Sequence, residues 1–462
     1  MSMAAACKDA GLSPTTWSRG MSLVLGMGGT GASYARFLAA RGGQAVFADT
    51  RDAPPGAGGI RDAMPGAEVL TSTALTAVPD GVERILVSPG VDLRLPVIAD
   101  ARRRGLPILS DIDLFIQEAA APVSAITGSN GKSTVTSMAG AMLAGAGIRT
   151  AVGGNLGTPA LDLLDAGVEH YVLELSSFQL ERSALLSLAS AVVLNITPDH
   201  LDIHGDLDAY REAKARIYAR CGLAVVNRDE PGLELLVPAG TPIVGFGLQV
   251  PSGPGDYGLV ERADGQWLAR GAEPLLPVRA LPVTGRHNVS NALAALALCS
   301  VARPRASELL PGLRDYSPLP HRMALVLERD GVAWIDDSKA TNVGAAVASI
   351  GSVQGPLVLI AGGDAKGAGF ESLAAALRGR ECAVVLLGRD RELIAEALAG
   401  ICPVHRADGM SEAVGIAARL ARPGSTVLLA PACSSLDMFR DYAARGEAFA
   451  AAVTALAPGG RA

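Results

Sequence analysis

The sequence predicts an α/β protein of three domains, each built on a parallel sheet. Three observations carry this. Short apolar runs alternate with helical stretches along nearly the whole chain, the pattern of parallel strands joined by crossover helices. Several of those runs open into glycine- or serine-rich polar loops, at Gly26, Gly128, Gly362 and Pro431, where open α/β sheets bind ligands. The length, 462 residues, suits about three domains, with boundaries expected at 1–110, 111–316 and 317–462.

Composition narrows the function classes. The chain is 49% hydrophobic and 19% charged, enough to bury large cores. A net charge of -6 argues against a nucleic-acid partner, which would favour a basic surface. The first twenty residues have no apolar segment of signal-peptide type, and no run is long enough to span a bilayer, so a cytoplasmic protein without a membrane partner is expected. Six scattered cysteines with no C-x-x-C pair suit free thiols in a reducing compartment. Of 40 basic residues only five are lysines, Lys8, Lys132, Lys214, Lys339 and Lys366, and the other 35 are arginines. Arginine serves the general surface here, so the remaining lysines mark places that need a compact or modifiable amine.

In chain order, residues 21–25 form a strand that runs into Gly26-Met27-Gly28-Gly29-Thr30-Gly31 and a helix over 32–40. A second strand, 45–48, ends at Asp49. This is the dinucleotide fingerprint, G-x-G-x-x-G with an acid about twenty residues on. It is open to two uses, a nicotinamide cofactor or another diphosphate such as a nucleotide sugar. A strand over 84–87 leads to Ser88-Pro89-Gly90, and one over 107–109 closes the domain.

The second block opens with an apolar run, 123–126, then Gly128-Ser129-Asn130-Gly131-Lys132-Ser133-Thr134 and a helix over 135–144. Strand, glycine turn, Lys-Ser and helix make a P-loop: backbone amides cradle phosphate, Lys132 reaches the terminal phosphates and Ser133 holds Mg²⁺. The long form of the motif wants glycine at 126, where Ile126 stands, so this is the compact G-x-x-G-K-S form. A strand over 171–175 brings Glu174 to its end, the usual place for a further magnesium contact beside a P-loop. Asn155 lies in a turn-rich loop, and a strand over 191–196 gives way to Asp199-His200-Leu201-Asp202. The helix expected over 207–220 carries Lys214, residues 251–283 read as short antiparallel strands, and a helix after His287-Asn288-Val289-Ser290-Asn291 runs to about 301. In the third block, strands over 324–327, 333–335, 357–361, 383–387 and 426–429 open loops holding Asp337, Lys339, Thr341, Lys366 and Ser435.

Taken together, the compact P-loop, Leu173-Glu174-Leu175-Ser176-Ser177-Phe178-Gln179, Asp199 to Asp202, Tyr210 to Lys214, His287 to Asn291, Asp337 to Asn342 and Pro431 to Leu436 resemble the Mur ligases of peptidoglycan synthesis, in order and over nearly the whole chain. Within that family the glutamate-adding branch fits best: the alanine-adding relatives would carry histidine where Asn130 stands, and the diaminopimelate-adding ones an Asp-Asn-Pro-Arg motif that is absent. The resemblance implies a Rossmann-like first domain that binds a UDP-sugar, a central ATPase-like domain with a parallel sheet plus a small antiparallel one, and a Rossmann-like third domain that binds glutamate. It implies ATP-dependent amide formation: the alanine carboxylate of UDP-N-acetylmuramoyl-L-alanine is phosphorylated, and glutamate's amine displaces phosphate. D-glutamate is expected, with the L form as an alternative; the rivals are an NAD-dependent oxidoreductase built on the Gly26–Gly31 fingerprint and a non-catalytic nucleotide-binding regulator with a ligase fold.

The resemblance also distributes roles. Gly128, Asn130, Gly131, Lys132, Ser133, Thr134, Asn291, Arg322, Asp337 and Lys339 fall to ATP. Gly29, Thr30, Asp49, Thr50, Arg51, Ser88, Gly90, Asn155 and Ser176 fall to the UDP substrate. Thr341, Lys366, Ser435 (expected at a helix start), Leu436 and Tyr442 fall to glutamate. Ser133 and Glu174 would hold one Mg²⁺, and His200 a second, supported by Lys214 as a carbamate. Lys132, His200 and Lys214 are the expected catalytic set. On residues alone, Asn155 reads equally as a turn asparagine, Tyr442 as core, and His204, His287 and His321 as loop histidines. His200 serves either as metal ligand or as base, and a monomer is the default.

Overall fold

The computed structural model describes residues 17–302 and 304–456. Cys7, Lys8 and most of the N-terminal segment lie outside the described residues. Three sheets account for the architecture. The first has five parallel strands, β1 (Met21–Leu25), β2 (Gln44–Ala48), β3 (Glu68–Leu70), β4 (Val82–Val87) and β5 (Ile108–Ser110), in the order β3-β2-β1-β4-β5. The order reverses beside β1, so its carboxyl end and that of β4 border the crevice where such folds bind ligands.

The central sheet has nine strands: β6 (Val123–Thr127), β7 (Thr150–Gly154), β8 (His170–Glu174), β9 (Ser190–Val193), β10 (Ala224–Asn227), β11 (Ile243–Phe246), β12 (Tyr257–Arg262), β13 (Gly265–Arg270) and β14 (Glu273–Pro277). Their order is β14-β13-β12-β11-β10-β9-β6-β8-β7. The expected antiparallel strands are β12 to β14, joined edge-on to the parallel part through β11. Every residue of β6 and β8 is buried, which is why both read as continuous apolar runs rather than alternating ones. The third sheet holds β15 (Ala324–Arg329), β16 (Val332–Asp336), β17 (Leu357–Gly362), β18 (Cys382–Leu387), β19 (Val404–Arg406) and β20 (Thr426–Leu429), in the order β15-β16-β20-β17-β18-β19, parallel except for the β15–β16 hairpin.

Several elements depart from the sequence reading. Both glycine loops feed their helices earlier than expected: the first helix is Gly29–Ala39 and the P-loop helix Lys132–Gly145. Gly29 meets nothing that would bar helical backbone, and Lys132 to Thr134 form a first turn. The expected helix over 207–220 is α-helical only at Leu207–Ala215 and tightens into a 3₁₀ turn at Arg216–Tyr218. A helix at Asp111–Glu118 was not anticipated, although Ser110 and Asp113 form its capping box. Ser435 does not start a helix: its carbonyl closes one turn onto the Met438 and Phe439 amides, and the helix begins only at Tyr442. The five cysteines within the described residues are free, and no described helix is long and apolar enough to cross a membrane.

Candidate active site

The phosphate loop is set by backbone. Gly128 (φ 149°) and Gly131 (φ 84°) turn the chain in conformations that side chains resist. A Cβ on Gly131 would stand 2.6 Å from Asn291 Oδ1, so the residue must be glycine for the loop to meet the Arg286–Leu298 helix. The unpaired amides of Lys132, Ser133 and Thr134, in the first helical turn, suit an anion. Lys132 Nζ donates to the carbonyls of Gly128 (2.8 Å) and Ser129 (3.0 Å), which hold it over the loop. Burial lowers the Lys132 pKa, and the charges of Glu174 and Asp199 oppose that.

Glu174, at the end of β8, sits beside Ser133. Its Oε1 accepts a 2.6 Å hydrogen bond from Asn155, while its Oε2 is buried with no partner. Burial alone would raise its pKa, but Lys132, Ser133 and Asn155 together hold it below the ordinary value. A buried anionic oxygen lacking a donor, next to a P-loop hydroxyl, fits a divalent cation. No group of three or more His, Cys, Asp or Glu among the described residues forms a ready metal cage.

Lys214 is 1% exposed. Among the described residues its Nζ reaches Gly128 O (3.0 Å), Thr127 Oγ1 (3.4 Å) and the face of Tyr210 (4.4 Å). Burial, reinforced by Lys132, pushes its pKa well below that of a free lysine. His200 takes left-handed backbone (φ 56°) with its ring edge-on to Phe178 at 5.1 Å. Burial pushes that imidazole down to about 4, so it is neutral at pH 7.

Lys132, Ser133, Glu174 and His200 line one end of a cavity of about 520 Å³ that runs from the phosphate loop past Asn291, Arg322, Asp337, Lys339 and Thr341, with Lys214 behind the loop on the Gly128 carbonyl. The expected ATP residues therefore converge, apart from Gly128, which contributes its turn and carbonyl. Lys339 lies 3.8 Å above the Tyr442 ring, and burial, with Arg322 adding to it, lowers its pKa to about 8. Asp337 accepts from the Met323 amide (3.2 Å) and the Ser349 hydroxyl, and burial raises its pKa.

A second cavity, about 730 Å³, opens at the carboxyl ends of β1 and β4. It is lined by Gly29, Thr30, Asp49, Thr50, Arg51, Ser88, Gly90 and Asn155, as expected. Ser176 is not among its walls. Its hydroxyl caps the Ser177–Arg182 helix with Gln179, and Gln179 lines the cavity instead. Asp49 is saturated from within the chain: Met27 N at 2.7 Å and Arg51 Nη2 at 2.7 Å take Oδ2, while Arg51 N and Nε, both at 2.9 Å, take Oδ1. Chiefly through Arg51, its pKa lies well below the carboxylate range. The acid that would receive a dinucleotide ribose has no free oxygen, which removes the main support for a nicotinamide reading. Asn155 lines both large cavities, so they adjoin at Asn155, which bonds Glu174 on the phosphate-loop side.

Comparison with known proteins identifies the family. Residues 21–110 match the Mur ligase MurD-like N-terminal domain, 126–299 the Mur ligase middle domain, and 321–433 the Mur ligase glutamate ligase domain. A Nitrosococcus oceani protein named UDP-N-acetylmuramoylalanine--D-glutamate ligase is 50% identical over 94% of this chain and 96% of its own length. This chain belongs to the Mur ligase family. A Mur ligase of the same name from Methylobacillus flagellatus is 47% identical over 94% of this chain and 96% of its own. The Mur ligase fold is shared with UDP-N-acetylmuramate-alanine ligase of Thermotoga maritima (TM-score 0.60, 19% identity, 93% of this chain and 98% of that one). It is also shared with the MurF ligase of the same organism, solved with ADP (TM-score 0.59, 18% identity, 89% and 94%).

Against this Mur ligase frame, the residues expected at the glutamate end separate. Thr341 and Lys366 line a third, small cavity between the central and third sheets. Ser435, buried, and Leu436, 71% exposed, line none of the three cavities, and Tyr442 serves as the platform under Lys339. Of the three histidines expected in loops, two stand in helices, His204 in Leu201–His204 and His287 in Arg286–Leu298; His204 bonds Ser177 (3.0 Å), His287 bonds Ser352 (3.1 Å), and His321 bonds Asp336 (2.6 Å). Asn342 and Asp199 were not singled out. Asn342 caps the Val343–Ser352 helix through its oxygen, and its Nδ2 donates to Asn130 Oδ1 (3.0 Å) and Asp199 Oδ2 (3.2 Å). Both stand inside motifs visible in the sequence, but only docking of the third sheet brings them together.

Proposed function

We propose that this Mur ligase joins D-glutamate to UDP-N-acetylmuramoyl-L-alanine at the expense of ATP. The observation that supports it is the approach of the two large cavities at Asn155, which lines both. A UDP-sugar held at Gly29, Thr30 and Ser88 would direct its alanine carboxylate to this junction. ATP in the other cavity would present its γ-phosphate there, over Lys132. The carboxylate oxygen attacks phosphorus, ADP leaves, and an acyl phosphate forms. The amine of glutamate then attacks the acyl carbon and expels phosphate. Two polyanionic reactants repel each other, and Lys132, the loop amides and Arg322 lower that barrier by neutralising charge.

Mg²⁺ bound between Ser133 and Glu174 would further neutralise the phosphates. The free Glu174 oxygen supports that site. For a second ion at His200, we infer that Lys214 carries a carbamate. Burial lowers the Lys214 pKa and so favours the uncharged amine, the form that adds CO2. The parts 1–110, 111–316 and 317–462 would then bring nucleotide sugar, ATP and glutamate respectively, in a cytoplasmic monomer.

Phosphate release with ATP, UDP-N-acetylmuramoyl-L-alanine and each glutamate enantiomer tests the reading. Release should need all three substrates and prefer the D form; equal release without the UDP-sugar would refute it. Lys132→Ala should lower kcat by roughly 10²–10³. Lys214→Arg should be inactive, and bicarbonate should raise activity in depleted wild-type preparations; an active arginine variant would end the carbamate idea.

A further inference from the structure

The small cavity between the central and third sheets has room for about one water, roughly 10 Å³. Its lining holds one amine, Lys366, and one carboxylate, Asp199, among the described residues. The two are paired across the joint, Lys366 Nζ to Asp199 Oδ1 at 3.2 Å. Neither is placed by accident. Lys366 takes left-handed backbone (φ 49°), and its amide donates to Asp364 Oδ1 (3.0 Å), which Arg389 Nη2 holds in turn (2.6 Å). Asp199, its side chain 11% exposed, has its other oxygen on Asn342 Nδ2 (3.2 Å) and 3.8 Å from His200 Nε2. Asp199 also lines the ATP cavity, and it therefore forms part of the wall between the two spaces.

An amino acid that enters here must bring its carboxylates to a cation and its amine to an anion, with the amine on the side facing the phosphates. The cavity offers one group of each kind, and they now satisfy one another. We propose that Asp199 receives the amino group of the incoming amino acid, and that the Lys366–Asp199 ion pair is the contact that this amino acid splits. A glutamate carboxylate replaces Asp199 on Lys366, the ammonium replaces Lys366 on Asp199, and one ion pair becomes two. Glutamate is far larger than one water, so it enters here only if the two sides of the joint move apart. The same placement sets the amine at the phosphate side of the wall. The proposal rests on glutamate being the amino acid joined.

The test compares glutamate with glutarate, which keeps both carboxylates and lacks the amine. On the full chain with saturating ATP and UDP-substrate, Asp199→Asn should raise the KM for D-glutamate at least about tenfold, the loss of a charge-assisted hydrogen bond. Glutarate should inhibit Asp199→Asn as well as or better than wild type, because Lys366 is freed and a repelling carboxylate is gone. The KM for the UDP-substrate should stay as in wild type. Asp199→Ser, which removes the charge with a smaller side chain, should give the same opposite movement of the two ligands should the Asn variant not fold. Glutamate and glutarate weakening by the same factor would overturn the proposal, since Asp199 would then only brace Lys366, and an unmoved KM for glutamate would overturn it equally. A wild-type enzyme that turns over no glutamate would instead remove the underlying reading, and the proposal with it.

Discussion

The two joints of the molecule are built from different materials. Between the first and central sheets the core is continuous: Val24, Tyr34, Phe47 and Leu86 belong to the same buried cluster as Val123, Leu173, Ala191 and Tyr218. The Asp111–Glu118 helix lies in that seam, with Phe115 edge-on to Tyr171 at 5.0 Å. The third sheet keeps its own clusters, confined to residues 332–453. It reaches the central one through polar contacts, Asn342 to Asn130 and Asp199, Lys366 to Asp199, and Ser352 to His287. Apolar burial is nondirectional and holds a fixed relation; a few hydrogen bonds over a cavity can be exchanged for bonds to a ligand. The first joint therefore fixes one cavity relative to another, and the second can open to admit a substrate.

The largest expected effect attacks the apolar seam. Phe115→Ala should cost about 3–5 kcal/mol and lower the unfolding temperature of the first and central parts together, as one calorimetric transition. Separate transitions for those two parts would break the comparison.

Acid should act on the same unit. His170, 3% exposed in β8, bonds Ser124 (2.8 Å), and burial lowers its pKa to about 4. Between the unfolded value near 6.5 and 4 the unfolded chain takes up a proton that the folded chain refuses. Stability is thus full above pH 6.5 and falls toward pH 4, by roughly 2 kcal/mol between pH 7 and 4.5. His170→Gln should flatten that part of the melting-temperature profile.

The polar joint should respond the other way round. Asn342→Asp keeps the helix cap but sets a buried carboxylate against Asp199, so the joint should loosen and activity should fall about tenfold. Small-angle scattering should show a larger radius of gyration. Least of all, Arg36→Ala removes the half-exposed Arg36–Asp162 pair at the first joint and should cost no more than about 1 kcal/mol, with kcat unchanged.

How far these features were legible in the sequence follows from the range of the forces involved. The P-loop could be read because glycine conformation, lysine and hydroxyl act within seven residues, Gly128 to Thr134. The buried strands could be read because both faces are apolar. Lysine scarcity was informative: Lys132, Lys214, Lys339 and Lys366 all reach the site or its edge. Ser176 misled because one serine chemistry serves both a ligand and a helix cap. Asp199 and Asn342 were invisible as a pair because 143 residues separate them and only tertiary docking joins them. The Asp111–Glu118 helix could have been found from the Ser110–Asp113 spacing.

The proposed reaction requires the carboxylate of the UDP-substrate to attack the γ-phosphate where the two cavities adjoin at Asn155. UDP-N-acetylmuramoyl-L-alanine labelled with ¹⁸O in its alanine carboxylate tests it directly, in a full turnover with ATP and D-glutamate. Attack by that carboxylate and later expulsion of phosphate must carry one labelled oxygen into each phosphate released. Label appearing in phosphate at one atom per turnover is the predicted result; unlabelled phosphate, with all the label retained in the amide product or substrate, would contradict it.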